Sequence, residues 1–165
     1  PFMLYNVPGR TGVDLEADTA IRLFDDVKNI YAIKEATGSL ERSISLLSQR
    51  EDFVVVSGDD AIDFPMLANG AKGIISVTAN ILPNLKSQLV NNVFEGNYDV
   101  ARKINNDLYP LNSVLFCESN PIPIKAAMYI AGLLDTLEFR LPLTAPSAET
   151  MKKLEETLRN YEVIK

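Results

Sequence analysis

The first part of the chain alternates short apolar runs with longer segments in which apolar residues recur at helical spacing. Three of the four runs are rich in Ile and Val, which is typical of strands buried in a parallel sheet. We therefore predict strands at Phe2–Tyr5, Asn29–Lys34, Phe53–Ser57 and Gly73–Val77.

The segments between and after these runs predict helices, at Leu15–Val27, Leu40–Leu47, Ile62–Leu67 and Ile81–Phe94. Alternation of strand and helix implies a parallel sheet with right-handed crossovers, and the near-uniform spacing favours a (β/α) barrel over an open doubly wound sheet. No GxGxxG or Walker-type phosphate loop appears. About four βα units are half of the eight that close a barrel, so we predict an α/β fold in which residues 1–95 form half of a (β/α)8 TIM barrel.

Beyond residue 95 the pattern predicts helices alone. The predicted helices are Tyr98–Phe116, Ile124–Leu134 and Ala148–Tyr161, with Ser147 as the N-cap of the last one. We therefore predict a C-terminal helical domain at residues 96–165.

Composition and charge exclude several classes of partner and of catalytic group. The net charge of −6 and the scattered Lys and Arg residues argue against nucleic acid as a partner. The chain has no His and a single cysteine, Cys117, so an intrachain disulfide is impossible and the commonest metal ligand is missing. No apolar run approaches the ~20 residues of a membrane span, so the cytoplasm is the expected location. Catalysis would have to use Lys, Tyr, Arg or carboxylates.

The start of the chain lies inside an apolar run. It opens at Pro1 without an initiator methionine, directly before the first predicted strand. We therefore expect the chain to be a fragment, with the other half of the barrel missing from it.

Residues at the C-terminal ends of the predicted strands are the candidates for function, because barrel enzymes place their sites there. Lys34 ends an apolar strand, where partial desolvation favours the neutral amine that attacks a keto acid to form a Schiff base. A lysine that extends its charge to solvent, or one that pairs with Glu35, fits the same position. Tyr5 ends the neighbouring strand and could transfer protons during imine formation, or it could simply line the barrel.

Two loops add further candidates. The turn at residues 7–12 presents Arg10, whose planar guanidinium could bind a carboxylate through two hydrogen bonds, although an exposed loop arginine often has no such role. Gly58 follows the third predicted strand and would allow a ligand to approach the backbone closely. Asp59 and Asp60 follow, and an Asp here is routinely a helix N-cap before the run that starts at Ala61.

These motifs occur in the order found in a known family. The ordered series resembles the dihydrodipicolinate synthase (4-hydroxy-tetrahydrodipicolinate synthase) family, within the superfamily of class I aldolases that includes N-acetylneuraminate lyase. The resemblance covers essentially the whole chain and corresponds to the C-terminal half of the family's proteins. Its motifs are Tyr5–Gly12, Lys34–Gly38, Ser57–Asp60, Gly73–Asn80, Glu118–Lys125 and Arg140–Leu143.

The resemblance implies roles for these residues. Lys34 would be the Schiff-base lysine, Tyr5 the proton-transferring tyrosine, and Arg10 the arginine that holds the second substrate's carboxylate. Gly58 and Asp59 would lie near the second substrate, and the Ile75 carbonyl would lie near pyruvate.

The reaction implied is condensation of pyruvate with L-aspartate-4-semialdehyde, followed by cyclisation to 4-hydroxy-tetrahydrodipicolinate in the diaminopimelate route to lysine. It needs no metal or organic cofactor. The resemblance also implies a homotetramer.

The departure from the family is large. The first half of the barrel would be missing, together with the paired threonines that bind pyruvate and contact the tyrosine, a tyrosine from a neighbouring subunit, and most of the lysine feedback site. Activity of this chain alone is therefore doubtful. A sister lyase acting on N-acetylneuraminate or a keto-deoxy sugar acid, which would not need the Arg10 turn, and a non-catalytic half-barrel that binds the complementary half are the alternatives.

Overall fold

A computed structural model describes every residue from Pro1 to Lys165 and shows an α/β architecture with a three-stranded parallel sheet and eight α-helices. The strands are β1 (Phe2–Asn6), β2 (Ile30–Glu35) and β3 (Val54–Ser57). The helices are α1 (Pro8–Thr11), α2 (Ala17–Asp26), α3 (Leu40–Gln49), α4 (Asp63–Ala68), α5 (Pro83–Phe94), α6 (Tyr98–Leu115), α7 (Ile122–Ile130) and α8 (Ala148–Asn160). A turn of 3-10 helix, Thr78–Asn80, precedes α5.

The sheet has the order β1-β2-β3, with both strand pairs parallel. Strand β2 lies in the middle, and its residues Ala32 and Ile33 are fully buried. The pairing aligns Tyr5 with Lys34, and Lys34 with Val56, so that the three strands end close to one another.

The prediction of a fourth strand at Gly73–Val77 is wrong. Only an isolated parallel bridge between Ser57 and Ile74 forms there, through the bonds Ser57 N–H to Gly73 O (2.9 Å) and Ile75 N–H to Ser57 O (2.8 Å). The ladder stops because its partner strand β3 ends at Ser57, and the backbone after Ser76 turns into the 3-10 helix.

The predicted helices are confirmed in position, with shifted ends. Helix α4 begins at Asp63 and has no side-chain cap, so the expectation that an aspartate of the Asp59–Asp60 pair caps this helix is wrong. The Asp59 carboxylate instead accepts the Ala61 N–H (3.0 Å) and closes a tight turn before the helix. The short helix α1 was not predicted, because its four residues are too few to show helical periodicity.

The chain divides into two compact units. Unit 1 comprises Pro1–Ser76 and Gln88–Asn105, and unit 2 comprises Val77–Ser87 and Asn106–Lys165. These units interleave along the chain, whereas the predicted domains were separated by a single boundary after residue 95. Helices α5 and α6 each contribute residues to both units.

Unit 1 has a core of apolar residues from the sheet and its helices. Phe53, immediately before β3, is fully buried, and its ring stacks on Phe24 of α2 with the centroids 4.5 Å apart. Ile33, Leu46 and Met66 are fully buried in the same cluster. These contacts attach helices α2, α3 and α4 to the sheet.

Unit 2 has a separate core of helical residues, including Leu111, Leu115, Leu154 and Leu158. Ser147 caps α8 as predicted, because its hydroxyl accepts the Thr150 N–H (3.1 Å). Hydrogen bonds from the Thr150 hydroxyl and from the Ser147 backbone lower the pKa of Glu118.

None of the helices is both long enough and apolar enough to span a membrane.

Stability should depend strongly on the aromatic stack in unit 1. We expect Phe53→Ala to lower the free energy of unfolding by about 3–5 kcal/mol, because a buried ring is lost and a cavity remains. Urea denaturation of the chain measures the change. Phe94→Ala is the matched control, since that ring is 57% exposed, and it should change the free energy by less than about 1 kcal/mol. Equal effects of the two substitutions would contradict this description of the core.

Candidate functional site

The candidate site begins with two side chains at the ends of adjacent strands. Tyr5 of β1 and Lys34 of β2 are register partners and project from the same face of the sheet. The Lys34 Nζ atom lies 4.2 Å from the centroid of the Tyr5 ring. Lys34 is partly buried and Tyr5 is half exposed, so the amine lies at the margin between protein and solvent. The strand pairing therefore brings an amine and a phenol together, as the sequence predicts.

Gly58, directly after β3, is in contact with the aliphatic chain of Lys34, which is called the lysine stem below. A Cβ atom at this position would lie 2.8 Å from Lys34 Cε and 2.7 Å from Ala36 Cβ, well inside normal contact distances. The Gly58 N–H also donates to the Glu35 carbonyl (2.8 Å). The absence of a side chain at Gly58 is thus what lets the lysine stem cross the end of β3.

The next residue on each of the first two strands faces the opposite side of the sheet. Asn6 and Glu35 are register partners, are only 2% and 1% exposed, and bond through Asn6 Nδ2 and Glu35 Oε2 (3.1 Å). The second Glu35 oxygen accepts the Thr37 N–H (2.8 Å). Glu35 is therefore turned away from Lys34, and the alternative of a Lys34–Glu35 ion pair is wrong because adjacent strand residues point to opposite faces.

Sequence reasoning missed the Asn6–Glu35 pair as a feature of the site. The signal was present, because each residue directly follows a candidate catalytic residue at a strand end. A carboxylate on the core side of a strand needs hydrogen-bond partners, and an amide on the adjacent strand can supply one.

Arg10 lies in the last turn of α1, shortly after β1 ends, and is exposed. Helix α1 is closed by Gly12 in the left-handed conformation (φ 70°), whose N–H bonds the Pro8 carbonyl. The sequence predicted a turn at residues 7–12, and the structure has a single helical turn there that contains Arg10. Its role in carboxylate binding stays a prediction.

The turns that follow β2 and β3 lie against each other. Asp59 Oδ2 is close enough to Gly38 that a Cβ there would lie 3.2 Å from it, and Gly38 has a positive φ of 77°. The Ser57 hydroxyl donates to the Asp59 carbonyl (3.2 Å), which holds the turn after β3. Ile75, 44% exposed, is attached to the same strand end through its N–H.

This arrangement supplies an amine, a phenol and an exposed guanidinium from one end of a parallel sheet. An amine can form an imine with a carbonyl carbon, and a phenol in contact with it can donate and recover protons. All six predicted site residues, Tyr5, Arg10, Lys34, Gly58, Asp59 and Ile75, belong to unit 1.

Comparisons with known proteins agree on one family. Residues 1–161 match the Dihydrodipicolinate synthetase family. A curated relative from Aliarcobacter butzleri (strain RM4018), named 4-hydroxy-tetrahydrodipicolinate synthase, is 76% identical over 165 residues, which are 100% of this chain and 56% of the relative.

Solved structures show the same similarity. The crystal structure of dihydrodipicolinate synthase from Aquifex aeolicus superposes with a TM-score of 0.95 at 42% identity, over 99% of this chain and 56% of that one. A chloride-inhibited dihydrodipicolinate synthase from Acinetobacter baumannii, crystallised in complex with pyruvate, has a TM-score of 0.94 at 43% identity, with 99% and 56% covered. This chain thus spans about half the length of the curated relatives that it matches.

The contact between Gly58 and the lysine stem can be tested directly. We expect Gly58→Ala to lower the free energy of unfolding by about 1–3 kcal/mol, because the added methyl group overlaps Ala36 and Lys34. Urea denaturation gives the value. In the control Gly73→Ala, the new Cβ would meet only Val56 Cγ1 at 3.8 Å, so the change should stay within about 1 kcal/mol of zero. If Gly58→Ala were as mild as Gly73→Ala, the close approach would be disproved.

Proposed function

Because the chain belongs to the dihydrodipicolinate synthetase family, we propose that it contributes the Schiff-base lysine and its proton-transfer partner to a 4-hydroxy-tetrahydrodipicolinate synthase. The observation that carries the proposal is the contact between Lys34 Nζ and the Tyr5 ring at 4.2 Å. The relative bound to pyruvate supports a small keto acid as the first substrate.

Lys34 is proposed as the nucleophile. Its amine adds to the keto carbon of pyruvate, and loss of water from the carbinolamine gives a protonated imine. This imine withdraws electrons, so a methyl proton is lost and an enamine forms. The enamine carbon then attacks the aldehyde carbon of L-aspartate-4-semialdehyde, which takes up a proton to become a hydroxyl group, and the imine on Lys34 is formed again. The amino group of the former semialdehyde attacks this imine carbon and expels the Lys34 amine, which closes the ring and releases 4-hydroxy-tetrahydrodipicolinate.

Tyr5 is proposed to transfer protons in these steps. Formation and dehydration of the carbinolamine need a group that gives and takes protons beside the amine, and the Tyr5 phenol belongs to the side chain in contact with Nζ. Its half exposure keeps it open to substrate.

The remaining residues are proposed to bind substrate. Arg10, on the short helix after β1, would hold the carboxylate of the semialdehyde through two charge-assisted hydrogen bonds. Gly58 and Asp59 would lie near the same substrate, and the Ile75 carbonyl would lie near pyruvate. Pyruvate and the semialdehyde each carry a carboxylate, which the negative net charge of the chain does not attract, so a placed guanidinium is what would orient the second substrate.

We also propose that activity requires more of the barrel than this chain contains. The chain corresponds to 56% of the Aliarcobacter butzleri relative, and its three parallel strands are too few to close a (β/α)8 barrel. It would form the C-terminal half of such a barrel, within a homotetramer. A useful test protein is therefore a chimera in which this chain replaces the matching region of the Aliarcobacter butzleri relative.

The nucleophile can be identified by trapping. Treatment of the chimera with pyruvate and borohydride should reduce the imine to a stable secondary amine, and peptide mass spectrometry should locate the adduct on Lys34. Lys34→Arg, which keeps the charge but lacks a nucleophilic amine, should abolish the adduct, whereas the exposed-site control Lys152→Arg should retain it. An adduct on another lysine, or none at all, would refute the Schiff-base role of Lys34.

The role of Arg10 predicts a selective kinetic defect. Arg10→Ala in the chimera should raise the KM for L-aspartate-4-semialdehyde at least about tenfold, because a charge-assisted bidentate contact contributes roughly 1.5–3 kcal/mol. The rate of pyruvate trapping should change less than about threefold, because this step precedes semialdehyde binding. Steady-state kinetics with each substrate varied give both values. A defect confined to pyruvate would contradict this role of Arg10.

A further inference from the structure

We infer that the buried pair Asn6–Glu35 is a positioning pair for the reaction: it holds Tyr5 and Lys34 at their spacing and attaches the segment that carries Arg10. This inference rests on the proposed function and adds two residues to it. Neither side chain touches Lys34 or Tyr5, so both would act through the backbone.

Glu35 is a carboxylate that unit 1 buries with defined hydrogen-bond partners. It is 1% exposed, and its two oxygens accept from Asn6 Nδ2 (3.1 Å) and from the Thr37 N–H (2.8 Å). A buried carboxylate is costly without such partners, so its location is sharply defined. Since Glu35 and Lys34 are adjacent on one strand, fixing the first constrains the second.

Asn6 extends the same restraint to β1. Its Oδ1 atom accepts the Leu15 N–H (3.0 Å), and its Nδ2 atom donates to Asp14 Oδ1 (2.9 Å) as well as to Glu35. The side chain therefore binds the next strand and the far end of the loop that contains α1. Arg10 lies in that loop, between Asn6 and Asp14 along the chain.

Backbone hydrogen bonds connect the ends of the three strands at this level. The Ala36 N–H donates to the Asn6 carbonyl (2.9 Å), and the Gly58 N–H donates to the Glu35 carbonyl (2.8 Å). All three strand ends therefore meet at the residues of the pair. A shift of Asn6 or Glu35 would be transmitted to Tyr5, Lys34 and Gly58 on the other side.

The far end of the loop is also held from α3. Arg42 donates to Asp14 Oδ2 (2.8 Å), to Glu16 Oε2 (3.1 Å) and to the Leu15 carbonyl (2.5 Å). Asp14 is thus shared between Asn6 and Arg42. This arrangement lets the loop be altered at Asp14, whose side chain is 36% exposed, without disturbing the buried carboxylate.

The test compares near-isosteric variants in the chimera with the Aliarcobacter butzleri relative. In Glu35→Gln, an NH2 group replaces one of the two accepting oxygens, so either the Asn6 or the Thr37 N–H faces another donor. In Asn6→Asp, the donor is lost and a third carboxylate is placed beside Asp14 and Glu35. We expect each variant to slow pyruvate trapping by borohydride at least about tenfold at saturating pyruvate, because displacements near 1 Å can cost up to about a hundredfold in rate.

The matched control is Asn105→Asp, the same chemical change at another buried asparagine of unit 1. The Asn105 amide bonds the Ala61 carbonyl and the Phe64 N–H (both 3.3 Å), which both lie beyond the end of β3. It should lower the melting temperature as the other variants do, yet leave the trapping rate within about threefold. Similar trapping rates in Glu35→Gln, Asn6→Asp and Asn105→Asp would overturn the inference and leave the pair with a role in stability alone.

A milder variant keeps the inference testable if the buried substitutions prevent folding. Asp14→Asn weakens the attachment of the loop at its exposed end, so it should raise the KM for L-aspartate-4-semialdehyde about threefold or more while pyruvate trapping stays near normal. An unchanged KM would overturn the loop part of the inference. Trapping in the unsubstituted chimera separates the two hypotheses: no adduct there refutes the proposed function and the inference with it, whereas normal trapping in Glu35→Gln refutes the inference alone.

Discussion

Strand β2 imposes the constraint on which the rest of the site depends, because consecutive side chains of a strand must point to opposite faces. Lys34 faces Tyr5, and its aliphatic chain passes Gly58. Glu35 faces Asn6 on the buried side of the sheet. The two environments differ in kind. One is partly open and holds an amine beside a phenol, and the other is closed and binds a carboxylate with two N–H donors.

The parallel pairing of the three strands decides which side chains become neighbours on each face of the sheet. Register between β1 and β2 places Tyr5 beside Lys34 and Asn6 beside Glu35, so one hydrogen-bond ladder aligns both pairs. The ladder ends where the loops begin, and the loops carry Arg10, Asp59 and Ile75. Because the loops are attached to the strand ends through Asn6, Ser57 and Glu35, their geometry depends on the same ladder.

Much of the fold could be predicted from periodicity, and the failures have local causes. Three strands and the longer helices were predicted because their apolar spacing repeats over enough residues. The fourth strand failed because the run Gly73–Val77 contains the composition of a strand, while its neighbours allow only one bridge at Ile74. An aspartate of the Asp59–Asp60 pair was expected to cap a helix because Asp is common both at the start of helices and in tight turns, and the two are alike in sequence.

The sequence by itself determined the residue types and their order: Tyr5, Arg10 and Lys34 stand out because a chain without histidine must use such groups, and their motifs match one family. Only the tertiary structure decided which of them meet. The Lys34–Tyr5 contact joins residues of two separate strands, the space at Gly58 depends on the path of the lysine stem, and the Asn6–Glu35 bond lies on the hidden face. Local patterns specify the elements, but strand register and close packing bring distant residues into contact, and no local pattern encodes those distances.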